Sequence, residues 1–367
     1  MMEILNQLVY FAFLQGLFLI VIFCVSRTKR QQINVHVWIL IVLLMLGLLA
    51  KMAHFALGWE RQLKGISEFS ILFFGPTVYL FVQSTLSEKR FSTSDLLHYI
   101  PGVVYSLIVT FYYILPSPET ISERVVSGEL YRVVHILVGI GLTVNITYFV
   151  LSVLRFRELT KSLQAEASYT LNISFVRNFL IAIGSCLLIW LTVYLISFGP
   201  YTQIEIASRA FIWQAVALIV LFIAYYQIVA PAVFQLPQLP KESKYAQSKF
   251  SSADLDQLKL ELENIMEQKK PYLNAKLLKS ELAELMDINA PELSRLLNER
   301  IGMSFFEYVN YHRIHEFIRL AQSPTAAQKT LLGLAQDAGF HSKSTFNKSF
   351  KQIMGCPPSE YLRKMDS

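Results

Sequence analysis

Charge is scarce in this chain. Of its 367 residues, 16% are Asp, Glu, Lys or Arg and 53% are hydrophobic, whereas an average soluble domain is about 25% charged. Much of the chain must therefore be solvated by lipid or buried unusually deeply. Cysteine is nearly absent too. Cys24, Cys186 and Cys356 are far apart and follow no disulfide or metal spacing, which excludes a stapled secreted fold. There is no solenoid repeat and no low-complexity tract. A glycine-rich phosphate loop, a nucleophile elbow and kinase-type boxes are also missing, so the chain is not expected to be an enzyme. Four histidines are scattered through the first 230 residues with no His-x-x-x-His pair, and no metal or cofactor is expected. Finally, no basic stretch precedes the first apolar run. Glu3 is the only charge before it, while Arg27, Lys29 and Arg30 follow it. That pattern describes an uncleaved span with its N-terminus outside, not a signal peptide.

What is abundant is long apolar runs. About 20 residues are needed to cross some 30 Å of hydrocarbon. Seven runs qualify: Ile4–Val25, Val35–Leu57, Ile66–Leu86, Leu96–Leu115, Leu130–Leu154, Phe175–Phe198 and Ala210–Ala230. The expected inner loops carry nine basic residues: Arg27, Lys29, Arg30, Lys89, Arg90, Arg155, Arg157, Lys161 and Arg177. The outer loops carry four: Arg61, Lys64, Arg124 and Arg209. The bias puts the N-terminus outside, and an odd number of spans then leaves the C-terminal region in the cytoplasm. Gly75-Pro76 and Pro101-Gly102 fall inside spans, as kinks or as ordinary membrane-helix prolines.

Some polar residues interrupt the runs. Lys51 and His54 lie three apart on the second span, and Arg132 and His135 repeat that spacing on the fifth. Glu68 and Arg209 fall at the same outer level. Two readings are open. All six lie near helix ends, where long side chains snorkel to headgroups. Alternatively they form an outward-facing cup for an unknown signal ligand with an anionic or polar head. His36 and His98 read as interfacial, and Asn145 and Thr147 as contacts between helices.

After Ala230 the texture changes. Residues 231–250 carry Pro231, Pro237, Pro240, Lys241, Lys244 and Lys249, a juxtamembrane linker that breaks the last span and keeps its lysines near anionic headgroups. Next, Leu255, Leu258, Leu262 and Ile265 step by three, four and three residues, the spacing of a coiled-coil seam. This helix either pairs two subunits as a homodimer or packs on its own domain.

From Lys276 onward short helices alternate with tight turns, in two helix-turn-helix units. Leu277–Met286 is a helix, Asp287-Ile288 turns, and Asn289 caps Ala290–Arg300. Thr330–Ala338 is a helix, Gly339 supplies a left-handed turn, and Ser342 caps Lys343–Met354. A longer helix, Ser304–Ala321, joins them through Phe305, Phe306, Val309, Ile314, Phe317 and Leu320. In the last helix Phe346 and Phe350 are spaced for burial, which leaves Lys343, Asn347 and Lys348 facing outward. The segment Lys329–Lys364 holds six basic and two acidic residues, net +4; Leu277–Met303 holds three against five, net −2. Phosphate attraction is therefore expected mainly from the second unit.

The stretches "LSRLLNERIGMSFFEYVNYHRI" (Leu293–Ile314) and "LAQDAGFHSKSTFNKSFKQIMGCPPSEY" (Leu334–Tyr361) resemble the DNA-binding domain of the AraC/XylS family of bacterial transcription regulators, over about Leu255–Arg363. The apolar half is not the sugar-binding domain of many members and looks like the membrane-embedded sensors that some bacterial relatives carry. The resemblance implies that the second helix of each unit enters successive major grooves of double-stranded DNA. Pro291, Ser294 and Arg295 would face the groove in the first unit, and Lys343, Ser344, Asn347 and Lys348 in the second. Arg295 suits guanine and Asn347 adenine, while Lys279 and Lys351 suit phosphate. RNA polymerase is a further partner to expect.

The expected fold is all-α: a seven-helix transmembrane bundle over residues 1–230, the linker 231–250, and a cytoplasmic all-helical domain with two helix-turn-helix units over 251–367. The expected function is a membrane-embedded, one-component transcription regulator in the bacterial inner membrane. The competing reading is a receptor or transporter-like protein whose cytoplasmic part recruits a protein partner.

Overall fold

A computed structural model describes residues 2–25, 35–56, 60–87, 92–169, 173–199, 214–226, 252–324 and 328–365. The described residues are helical and contain no strand, only one isolated antiparallel bridge between Ala167 and Leu278. The chain divides into two compact units. One comprises Met1–Leu159 and Asn172–Leu236; the other comprises Thr160–Leu171 and Pro237–Ser367.

The first unit contains α1 (Met2–Val25), α2 (Val35–Ala56), α3 (Glu60–Leu86), α4 (Thr93–Ile114), the short amphipathic α5 (Pro118–Val126), α6 (Glu129–Glu166, to Leu159 within this unit), α7 (Ser174–Ile196) and α8 (Gln214–Tyr226). Apolar helical segments thus occur at all seven expected places. Three of them, α4, α6 and α7, are long and apolar enough by themselves to cross a membrane. In the other four, the apolar stretch among the described residues is shorter, at 10–17 residues.

Packing in this unit follows the apolar faces. Leu40, Ile41, Leu44 and Leu48 of α2 are buried, as are Leu72, Val78, Phe81 and Val82 of α3. Elsewhere large side chains face outward, among them Phe11, Leu14 and Phe18 of α1, Phe111 of α4 and Leu188 of α7. Pro76 lies within α3, where a proline disturbs the backbone ladder. Asn145 of α6 bonds to the residue just before it. Its Oδ1 accepts the Gly75 N–H at 3.0 Å, and its Nδ2 donates to the Gly141 carbonyl at 2.8 Å. Asn145 therefore does join two helices, as its position suggested. Thr147 does not, since it is exposed and its hydroxyl donates to Thr143 O one turn back. His36 is buried, with Nδ1 3.0 Å from Ser84 Oγ. Pro101 is no kink but the start of an α-helical stretch, following a tighter 3-10 turn capped by Ser92.

The second unit is built on two apolar cores joined by one helix. α9 (Ser252–Gln268) packs with α10 (Lys279–Leu285), α11 (Ala290–Leu296) and the start of α12 (Phe305–Ala321). The end of α12 packs with α13 (Leu331–Asp337), α14 (Lys343–Met354) and α15 (Pro358–Met365). Val309 serves the first core, while Ile314 and Phe317 serve the second; all three are fully buried. Ser304 starts α12 with a reciprocal cap: its Oγ accepts the Glu307 N–H, and Glu307 accepts the Ser304 N–H at 2.9 Å. Those hydrogen bonds hold the Glu307 carboxyl below its ordinary range.

The coiled-coil expectation is corrected here. Leu255, Leu258, Leu262 and Ile265 all lie inside the first core, against Leu282, Leu293 and Val309. A seam consumed by its own domain presents no face to a second subunit. The expected linker, 231–250, lies outside the described residues.

Candidate nucleic-acid interface

Each unit turns where its sequence permits a left-handed backbone. In the first, Asp287 takes φ +55° between α10 and α11. Asn289 then caps α11, accepting the Glu292 N–H at 2.8 Å while Glu292 accepts the Asn289 N–H at 3.0 Å. In the second, Gly339 takes φ +91°. An added Cβ there would collide with the Tyr272 carbonyl oxygen and approach Leu273 Cα to 2.9 Å. Ser342 caps α14 through the Thr345 N–H, and Gly355 at φ +76° ends it.

Burial then selects the outward faces. On α11, Leu293 and Leu296 are buried, Pro291 is exposed, and Ser294 and Arg295 are half-exposed. On α14, Thr345, Phe346, Ser349 and Phe350 are buried, whereas Lys343, Ser344, Asn347, Lys348 and Lys351 are exposed. Lys343, Asn347 and Lys351 line a cleft of ≈ 670 Å³ together with Thr330–Leu332 and Pro357–Ser359. Both acidic residues of this second unit are engaged, Asp337 with Lys329 at 2.6 Å and Glu360 with Lys364 at 2.8 Å. Besides Lys329 and Lys364, the unit's cations are Lys343, Lys348 and Lys351, exposed on α14, and Arg363, exposed on α15.

The first unit differs electrostatically. Its three basic residues are all in ion pairs: Arg295 with Glu299 at 2.9 Å, Arg300 with Asp256 at 2.7 Å, and Lys279 with Glu166 at 3.4 Å. Arg295 and Lys279, assigned from the sequence to base and phosphate, therefore have protein partners in this state.

Residues between the units matter as well, and the sequence reading passed over them. Arg313 on α12 is fully buried, the largest such side chain. It donates to Tyr272 O (2.8 Å), Ser168 O (2.8 Å), Ser168 Oγ (3.0 Å), Asn274 O (2.7 Å) and Asn310 Oδ1 (3.3 Å). Its guanidinium also lies 5.9 Å from the Phe340 ring centroid. Burial pushes its pKa down to about 10, so it remains charged at neutral pH. Hydrogen bonding to several oxygens is what makes such burial tolerable. A signal did exist, because Arg313 sits midway between Val309 and Phe317 on the buried stripe.

The candidate ligand residues are only partly described. Arg209 lies outside the described residues, and so do the side chains of Lys51, His54 and Glu68, whose positions fall on α2 and α3. Arg132 is exposed on α6. His135 has Nε2 2.6 Å from Ser197 Oγ and sits among Tyr131, Tyr194 and Phe198. Among the described residues no group of three His, Cys, Asp or Glu is placed to hold a metal.

Paired helix-turn-helix units on one linking helix, with a lysine-rich exposed face, define a DNA-binding module. Residues 282–364 match the family model described as a helix-turn-helix domain. The match supports an AraC-type DNA-binding domain in a transcription regulator, a class that is typically non-enzymatic. It covers a minority of the chain and does not extend to the apolar helices. Among curated proteins and solved structures, nothing matches.

Proposed function

We propose that this chain is a membrane-embedded, one-component transcription regulator. Its apolar helices sense a signal in or outside the bilayer, and its C-terminal domain reads operator DNA through α11 and α14. The observation that carries the reading is the exposed Lys343–Asn347–Lys348 face, held on a buried Phe346–Phe350 stripe inside a helix-turn-helix match. Asn347 suits adenine and the lysines suit phosphate or guanine.

Several features support seven crossings with the N-terminus outside. α1, α2 and α3 have 24, 22 and 27 residues, about 33–40 Å at 1.5 Å per residue, enough for a core of about 30 Å. Large apolar side chains face outward on α1, α4 and α7, an arrangement that lipid solvates and water does not. The distribution of loop lysines and arginines favours the same orientation.

The test is to sequence DNA cross-linked to the full-length protein in cells, together with reporter fusions at residue 300. Discrete enriched sites and a cytoplasmic reporter are expected. An absence of enriched sites would favour recruitment of a protein partner, and an external reporter would end the proposal.

A further inference from the structure

Residues Thr160–Leu171 stand in sequence between two long apolar helices, yet they belong to the unit that carries the helix-turn-helix pair. α6 is one continuous helix of 38 residues ending at Glu166, about 57 Å long. The residues at its end form a strap across the DNA-binding unit. Ala167 and Ser168 are fully buried, and Tyr169 nearly so.

The strap contacts all three parts of that unit. On the first helix-turn-helix, Ala167 bridges Leu278, the Ser168 N–H donates to Leu277 O at 3.2 Å, and Glu166 Oε1 accepts the Ser280 N–H at 2.7 Å. On the linking helix, Arg313 and Asn310 both donate to Ser168 O. On the second unit, the Tyr169 ring packs edge-on against His341 at 5.5 Å.

Charge indicates what docking does. Of the three basic residues in the first helix-turn-helix, Arg295 and Arg300 pair with carboxylates of the C-terminal domain itself. Among the described residues, it is Lys279 that takes its partner from the strap, Glu166, and the two side chains are 15% and 11% exposed. Docking therefore removes one cation from a segment that is already net negative and adds a carboxylate beside it.

We propose that the strap Glu166–Tyr169 is an intramolecular brake: docked, it holds Lys279 away from DNA, and withdrawn by movement of α6, it returns Lys279 to phosphate. This rests on the DNA-binding reading above. It places the coupling route at the end of α6. A signal that favours the bundle state with α6 displaced would release the domain.

The test uses the full-length protein in nanodiscs, with Cys24, Cys186 and Cys356 replaced by serine. Ala167→Cys and Leu278→Cys are introduced together, since partners across an antiparallel bridge lie at disulfide distance. Binding to a labelled mixed-sequence duplex of about 40 base pairs is then measured across a salt series, oxidised and reduced. The oxidised, locked protein is expected to bind more weakly than the released Ala167→Glu variant and with a salt slope shallower by about 0.9, the value of one phosphate contact. Raising salt from about 50 to about 200 mM should then cost the released form an additional three- to fourfold. Ala167→Glu, which cannot bury at the bridge, should behave as released, and adding Lys279→Ala should abolish its gain. Hydrogen exchange should rise at Leu277–Ser280 in Ala167→Glu and stay unchanged in α14, separating undocking from unfolding. Equal binding by the locked protein and Ala167→Glu, or tighter binding when locked, overturns the brake while leaving DNA recognition intact. If neither form binds duplex at any salt, the DNA reading fails and the brake fails with it.

Discussion

Replacing Gly339 by alanine separates two costs that are usually confounded. Gly302, Gly339 and Gly355 all adopt positive φ, at 74°, 91° and 76°. A side chain at any of them meets the left-handed penalty, about 1–2 kcal/mol. Around Gly302 and Gly355 an added Cβ meets nothing within 4 Å. Around Gly339 it meets the Tyr272 carbonyl oxygen, Leu273 Cα at 2.9 Å and Arg313 Nε at 3.2 Å. The first two are backbone. They cannot step aside without disturbing the 2.8 Å bond from Arg313 Nε to Tyr272 O. Overpacking of that kind adds about 1–3 kcal/mol. Gly339→Ala should therefore cost about 2–5 kcal/mol, and Gly302→Ala only about 1–2. The larger figure is a substantial part of a typical domain stability of about 5–15 kcal/mol. Native-state hydrogen exchange over residues 331–354 of the detergent-solubilised protein measures the opening free energy directly. If Gly339→Ala lowers it no more than Gly302→Ala lowers that of its own segment, the close-approach reasoning is wrong.

Other outcomes follow from the same geometry. Lys348→Ala should weaken binding to duplex DNA more than Lys279→Ala, because Lys348 is exposed and Lys279 is paired with Glu166; the reverse order in a fluorescence titration would contradict the assignment of charge to the second unit. Gly333→Ala should stabilise α13 by about 0.5–1 kcal/mol, since the nearest atom to the new Cβ is Thr330 Oγ1 at 3.4 Å, an ordinary contact; exchange rates across Leu331–Asp337 would report it. Burial, with a smaller contribution from the charge of His315, pushes His312 down from 6.5 to about 4. A depressed histidine is neutral when folded and takes up a proton on unfolding, so stability is full above about 6.5 and declines as pH falls towards about 4. Melting of the C-terminal unit over that range should lose part of its pH slope in His312→Gln.

Local chemistry was legible without coordinates. Gly339 was placed at a left-handed turn, Asp287 at a turn, and Asn289 and Ser342 before helices, because caps and turns depend on three or four contiguous residues. Apolar runs likewise located the long helices, since length and hydropathy are properties of a segment. The outward faces of α14 followed from the four-residue step between Phe346 and Phe350.

Other features depended on partners distant in the chain. The Leu255–Ile265 stripe has one sequence signature whether it meets a second subunit or its own domain, and only packing against Leu293 and Val309 decided between them. The bonds from Arg313 to Ser168 and from Ser280 to Glu166 join residues more than a hundred positions apart, and no periodicity announces such pairs. The sequence by itself determined where helices begin, turn and show an apolar face, because those depend on neighbouring backbone and side-chain sterics. Tertiary structure alone decided what each face meets and which charges are engaged, because burial and ion pairing arise only when remote segments are brought into contact.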